Sequence, residues 1–169
     1  MFFNQFPKML YPIEEQKEVL TDIFRRVVPN DQFIVNETFL EKYTIQAGER
    51  PEDLAYQLYG DPQYHWIFLI INNIVDPYNE WYYTSEQLLA MVKQRYGEGN
   101  ESEIHHYALK SRPLICSDYD PALIASGDLI PVTHLEHEEL ENDARQDIKV
   151  LHPRYLKNFV TEFRQLVAR

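Results

Sequence analysis

Tyr43-Thr44-Ile45-Gln46-Ala47-Gly48-Glu49-Arg50-Pro51-Glu52-Asp53-Leu54-Ala55-Tyr56-Gln57-Leu58-Tyr59-Gly60, continuing through Asp61-Pro62 into an apolar run closed by Asn72-Asn73, decides the fold. It reads as a compact strand–helix–helix module and not as a catalytic centre. Pro51 and Pro62 each suit a first helical position, where a missing N–H removes no intrahelical bond. Glu52 and Asp53 fall near the positive end of the first helix, Gly60 separates the two, and Asp61 is placed to cap the second. Leu54, Leu58, Trp66, Phe68, Leu69 and Ile71 are the candidate core positions, with Trp66 a core anchor rather than a sugar platform.

Outward from this stretch the pattern is α+β, in four regions. Residues 1–42 are an amino-terminal arm followed by a helix over residues 14–28, where Val19, Ile23, Phe24 and Val27 form a stripe; a short strand precedes Gly48, which supplies the turn. Residues 43–83 are the central module. Residues 84–135 open with Thr84 and Gln87 at capping-box spacing, run as a helix to a stop at Gly97, and continue as short strands and loops broken by Pro113, Pro121, Gly127 and Pro131. Residues 136–169 are a carboxy-terminal helical arm: a polar segment over 136–145, then Ile148–Leu151, then a final helix begun by His152-Pro153.

That last helix carries Leu156, Phe159, Val160, Phe163, Leu166 and Val167 at three- and four-residue steps, one broad apolar face. One edge is expected to close the chain's own core and the other to enter a neighbouring protein. Leu156, Phe159, Phe163, Leu166 and Val167 are therefore candidate interface residues. Tyr78, Trp81, Tyr82 and Tyr83 join them as a mixture of core support and protein contact, because rigid aromatic rings bury area at low entropic cost.

Charge narrows the partners. With 27 Asp plus Glu against 16 Lys plus Arg, the surface opposes a phosphate backbone, and the Arg25-Arg26 doublet is too short to reverse that sign. No direct nucleic-acid partner is expected. Cys116 is the one cysteine, which excludes an internal disulfide and a cysteine zinc site. The opening residues lack the basic start and long apolar core of an export signal, and no apolar run approaches membrane-spanning length, so no membrane partner is expected either.

Chemistry-bearing clusters are thin. His134 and His137 share a helix face at a three-residue step, but a metal site needs another ligand, and Glu138 does not complete a His-Glu-x-x-His pattern. His105 and His106 alternate to opposite faces of a strand. Cys116 beside Asp118 and Asp120 has no spacing that specifies a base-activated thiol, and no phosphate-binding glycine loop occurs. No catalytic residue, metal or cofactor is expected, and the chain is not expected to be an enzyme.

Tyr43 through Ala55, with Ile70-Ile71-Asn72-Asn73-Ile74-Val75-Asp76-Pro77, resembles a LysM-type module, a strand–helix–helix–strand fold associated with N-acetylglucosamine-containing glycans. The longer stretch Arg50–Trp66, with Asp76–Trp81 and Arg145–Leu151, resembles the baseplate wedge protein family of T-even-type contractile-tailed bacteriophages. That resemblance implies a structural connector with a LysM-like centre at 43–83, joining adjacent wedge proteins around the central hub. It further implies, as partners, other wedge proteins, among them the helical core-bundle proteins and the sheath-initiating wedge component. The implied location is the virion tail baseplate, after assembly in the host cytoplasm. Glycan binding through Gln46–Pro51 and Asn72–Asn79, with Tyr78 or Trp81 as an apolar edge, is the alternative.

Overall fold

The computed structural model describes residues 6–13, 16–22 and 38–167. It is an α+β chain of small antiparallel sheets and short helices, in two compact units. The first takes residues 1–43, 49–79 and 148–169, and the second residues 44–48 and 80–147.

The first unit begins with a hairpin of β1 (Lys8–Ile13) and β2 (Gln16–Thr21), which places Leu10 opposite Val19 and Met9 opposite Leu20. The helix expected over 14–28 is therefore corrected over Gln16–Thr21. Val19 and Leu20 pair across a ladder, and the β-branched Val19 and Thr21 suit that extended backbone. Ile23, Phe24 and Val27, the rest of the expected stripe, lie outside the described residues.

The first central helix forms where the sequence places it, whereas the second starts at Trp66 and not at Pro62, so Asp61 caps a 3-10 turn that precedes it. Helix α1 (Pro51–Tyr59) has Pro51 in its first turn and ends at Gly60, whose φ of 76° is left-handed and whose N–H bonds Tyr56 O. Asp61 accepts from Gln63 N at 2.9 Å and opens a 3-10 turn over Pro62–Tyr64. Helix α2 (Trp66–Ile71) buries Trp66, Ile67, Phe68 and Ile71, as an apolar run without a polar face must.

No strand forms between α2 and residue 83, so the closing strand expected inside 43–83 is corrected. The partner of β3 (Leu40–Thr44) is β6 (Asp147–Leu151), and Thr44 Oγ1 bonds Asp147 Oδ1 across a separation of 103 positions. His152 N donates to Phe39 O at one end and Ile45 N to Gln146 O at the other, which makes the pair antiparallel. Asn72 ties α2 to β6. Its amide donates to Lys149 O at 2.8 Å and accepts from Lys149 N at 2.8 Å, taking the place of a third strand at that residue.

A 3-10 turn over Pro153–Tyr155 leads into the last helix, Leu156–Val167, which completes the core of this unit. Trp66 lies 4.6 Å from the Phe163 ring and 6.1 Å from Phe159, with Phe6, Ile67, Ile71, Leu151, Val160 and Val167 packed around them.

The second unit opens with the short helix end at Glu80 (α3, Pro77–Glu80, straddles the boundary) and α4 (Ser85–Tyr96). Thr84 and Gln87 form the expected capping box, and Gly97 terminates α4. Strand β4 (Ile104–Leu109) pairs antiparallel with β5 (Leu129–Thr133), and α5 (Pro121–Ser126) lies between them in sequence. Helix α6 (His134–Gln146) starts two residues before the expected polar segment, because Thr133 and Glu136 form a second capping box. The last helix is α7.

Candidate functional site

The β1–β2 hairpin exposes apolar side chains on both faces. Leu10 and Val19 are opposite one another and 63% and 61% exposed, while Met9 and Leu20, on the other face, are also exposed. A two-stranded ribbon has few ways to shield such pairs by itself, and isolated hairpins are marginal in water. The short apolar run Met9-Leu10-Tyr11 was the available signal. The intervening Pro12 and the apparent helical stripe downstream obscured it.

The residues expected at an interface divide by burial. Tyr78 is 87% exposed, Tyr82 and Tyr83 are half-buried, and Trp81 is buried at 7% exposure. On α7, Phe159, Phe163 and Val167 are buried in the first unit's core, leaving Leu156 and Leu166 half-buried at the edge of the face. Trp81, Phe159, Phe163 and Val167 thus fall on the core side of the expected division between core support and protein contact. Large apolar groups at helical spacing found enough complementary volume within the chain.

Polar residues occupy the interior of the second unit. Glu138 on α6 is 1% exposed and accepts from Arg95 Nη1 and from Tyr96 Oη, the latter at 2.8 Å. Burial works against the Arg95 charge, but hydrogen bonding and attraction to Glu138 outweigh it and hold Arg95 above its ordinary value. Burial, together with the Glu138 carboxylate, also raises Tyr96. Asn142, one turn further along α6, is 4% exposed and exchanges two bonds with the backbone of Tyr83, at 2.8 Å to N and 3.1 Å to O.

Beside Glu138 four imidazoles meet. The expectation that His105 and His106 point apart fails, because the β4–β5 register shifts between Ile104 and His106 and leaves His105 as an extra residue. His105 Nδ1 and His106 Nδ1 approach to 2.8 Å. His137 stacks on His105 with ring centroids 4.1 Å apart, and His134 stacks on Tyr96 at 4.0 Å. Partial desolvation, then the neighbouring His137, His106 and His134, lowers the His105 pKa. The Nδ1 atoms of His134 and His137 are buried without a hydrogen-bond partner among the described residues. A bulge is not visible in a single sequence, so this convergence had no local signal.

The family described as Base plate wedge protein 53 matches residues 1–114 of this sequence. The chain belongs to that family. It is also 26% identical over 166 residues to baseplate wedge protein gp53 of Enterobacteria phage T4, covering 89% of this chain and 85% of the relative. Membership in the wedge family supports a structural, protein–protein role in phage tail assembly and a location in the tail baseplate.

For a wedge protein the exposed hairpin is the notable surface, since it lies inside the matched residues. Among the described residues no helix is long and apolar enough to cross a membrane. Cys116 is exposed, and it lies on a segment bridged to β4 through Ala108.

Proposed function

We propose that this wedge-family chain is a structural connector of a contractile phage tail baseplate, joining adjacent wedge proteins around the central hub. The observation that carries the reading is the hairpin with exposed Leu10–Val19 and Met9–Leu20 pairs. Covering them contributes about 25 cal/mol per Å² of apolar area removed from water, and added strands would also satisfy the hairpin's open edges. Tyr78 and Leu156 with Leu166 in the first unit, and Tyr82 with Tyr83 in the second, supply further contacts. The partners are other wedge proteins, among them the helical core-bundle proteins and the sheath-initiating wedge component, met in the host cytoplasm during assembly.

The order β3, α1, α2, β6 supports a LysM-like nucleus whose closing strand is delivered by the distant segment Asp147–Leu151. Its glycan-binding use is the weaker reading. Asn72 is committed to Phe68 O and to both backbone groups of Lys149, and Trp81 is buried.

The test uses purified wedge components mixed with the full chain or with Leu10→Ser/Val19→Ser, followed by sizing and circular dichroism. The expected outcome is lost or strongly weakened association by a variant whose fold is unchanged. Normal incorporation of that variant would remove the hairpin from the connector role. Saturable binding of chitin or peptidoglycan fragments would instead favour the glycan reading.

A further inference from the structure

We propose that His105, His106 and His137 form a binding site for one zinc-type transition-metal dication, which clamps the bulged β4 strand to the first turns of α6. One ligand atom from each of the three rings lies within 4.8 Å of the others. Three imidazoles are a donor set that suits zinc, with the fourth tetrahedral position left to water.

The tautomer of His106 is fixed by its surroundings. Its Nε2 lies 2.9 Å from Pro113 O, and a carbonyl only accepts, so Nε2 carries the proton and Nδ1 keeps its lone pair. A ligand histidine that donates its remote N–H to a backbone carbonyl is the usual outer-shell arrangement of a metal site. The bare Nδ1 points at His105 Nδ1, 2.8 Å away. In the metal-free chain that contact is a single N–H···N bond donated by His105.

His137 supplies the independent observation. Its Nδ1 is buried and has no hydrogen-bond partner among the described residues, which costs free energy unless a partner is supplied. A dication ligated through that Nδ1 would give it a partner. Tetrahedral ligation at ~2.0–2.1 Å places nitrogens about 3.3–3.4 Å apart, so the His105–His106 contact opens slightly on binding. The exposed His105 ring makes that adjustment by turning out of its stack on His137, since in-plane lone pairs of parallel rings do not converge on one ion, and its proton moves from Nδ1 to Nε2 without burying a new charge. Glu138, the next residue on α6, is held by Arg95 and Tyr96 and is not counted as a ligand. His134 is stacked on Tyr96 and also lies outside the converging set.

The experiment takes the untagged full chain, strips it with chelator, and dialyses it to equilibrium against zinc, with cobalt(II) absorption as a geometry probe. The expected results are one equivalent per chain, ligand-field bands of a tetrahedral nitrogen site, and a zinc-dependent rise in Tm. His106→Gln/His137→Gln should lower affinity at least ~tenfold. His65→Gln/His152→Gln, which changes the two histidines of the other unit, should bind as the parent does. If the buried substitutions prevent folding, His105→Gln removes a ligand at an exposed position and should show the same loss. Absence of stoichiometric zinc in the parent chain, or undiminished binding by His105→Gln, would overturn the site.

Discussion

The unit holding Trp66 and the unit holding Glu138 fill their interiors in opposite ways. In the first, Trp66, Phe159, Phe163 and their neighbours make an apolar cluster whose side chains need shape and little else. In the second, buried aliphatic residues such as Leu88, Val92, Leu129 and Val132 share the interior with Glu138 and Asn142. Each of those polar groups must meet a specific partner, since an unmade bond in a low-dielectric interior costs more than a made one contributes. Both units use one device in common: Asn72 and Asn142 each pair a side-chain amide with the N–H and C=O of a single residue, Lys149 and Tyr83 respectively. The difference is exposure, because Asn142 is 4% exposed while Asn72 is only half-buried.

The contrast is broken most forcefully at Trp66. Trp66→Ala should destabilise the chain by about 3–5 kcal/mol in denaturant unfolding, because the ring fills space between Phe159 and Phe163 that will not close completely. A loss below ~1 kcal/mol would mean the apolar cluster is loosely packed.

Glu138→Ala comes next. It removes the acceptor of both Arg95 and Tyr96, but the Arg95 side chain is half exposed and recovers water, so the expected loss is about 1–3 kcal/mol rather than the full cost of a stranded buried charge. Replacing Arg95 by Leu in the same background should recover little. Full recovery would show that the ion pair, and not the Tyr96 bond, carried the effect.

The paired asparagines sharpen the comparison further. Asn142→Ala is expected to cost about 1–2 kcal/mol, because it removes two hydrogen bonds made by a buried side chain to the backbone of Tyr83. Asn72→Ala should cost less, about 1 kcal/mol, since water can reach Lys149. Thermal unfolding of the two variants side by side decides the order; a larger loss at Asn72 would reverse the role assigned to exposure.

Smallest in stability is Leu10→Ser/Val19→Ser, expected within about 0.5 kcal/mol because both side chains already face solvent. A truncation after His152 is a poor substitute as a probe of assembly. It would remove Phe159, Val160, Phe163 and Val167 from the core, so lost assembly and lost folding would coincide.

Local chemistry was sufficient to place Pro51, Gly60, the Thr84–Gln87 box and the Gly97 stop, since each acts within a few residues of itself, while Asp61 caps a 3-10 turn in place of the expected helix. Periodicity likewise marked Trp66 and the α7 face as apolar, but it could not say that the chain itself would cover Phe159, Phe163 and Val167. The partner of β3 was beyond reach of local reading because strand pairing is a choice among segments, and the one chosen lies 103 positions away. The hairpin was misread for a related reason: Val19 with Ile23 fits a helix stripe as well as Val19 with Thr21 fits a strand, and only the pairing with Leu10 separates them. The four histidines were visible as two unremarkable pairs. Tertiary structure alone joined them, because one extra residue in β4 turns His105 toward His106 and brings both against the first turn of α6.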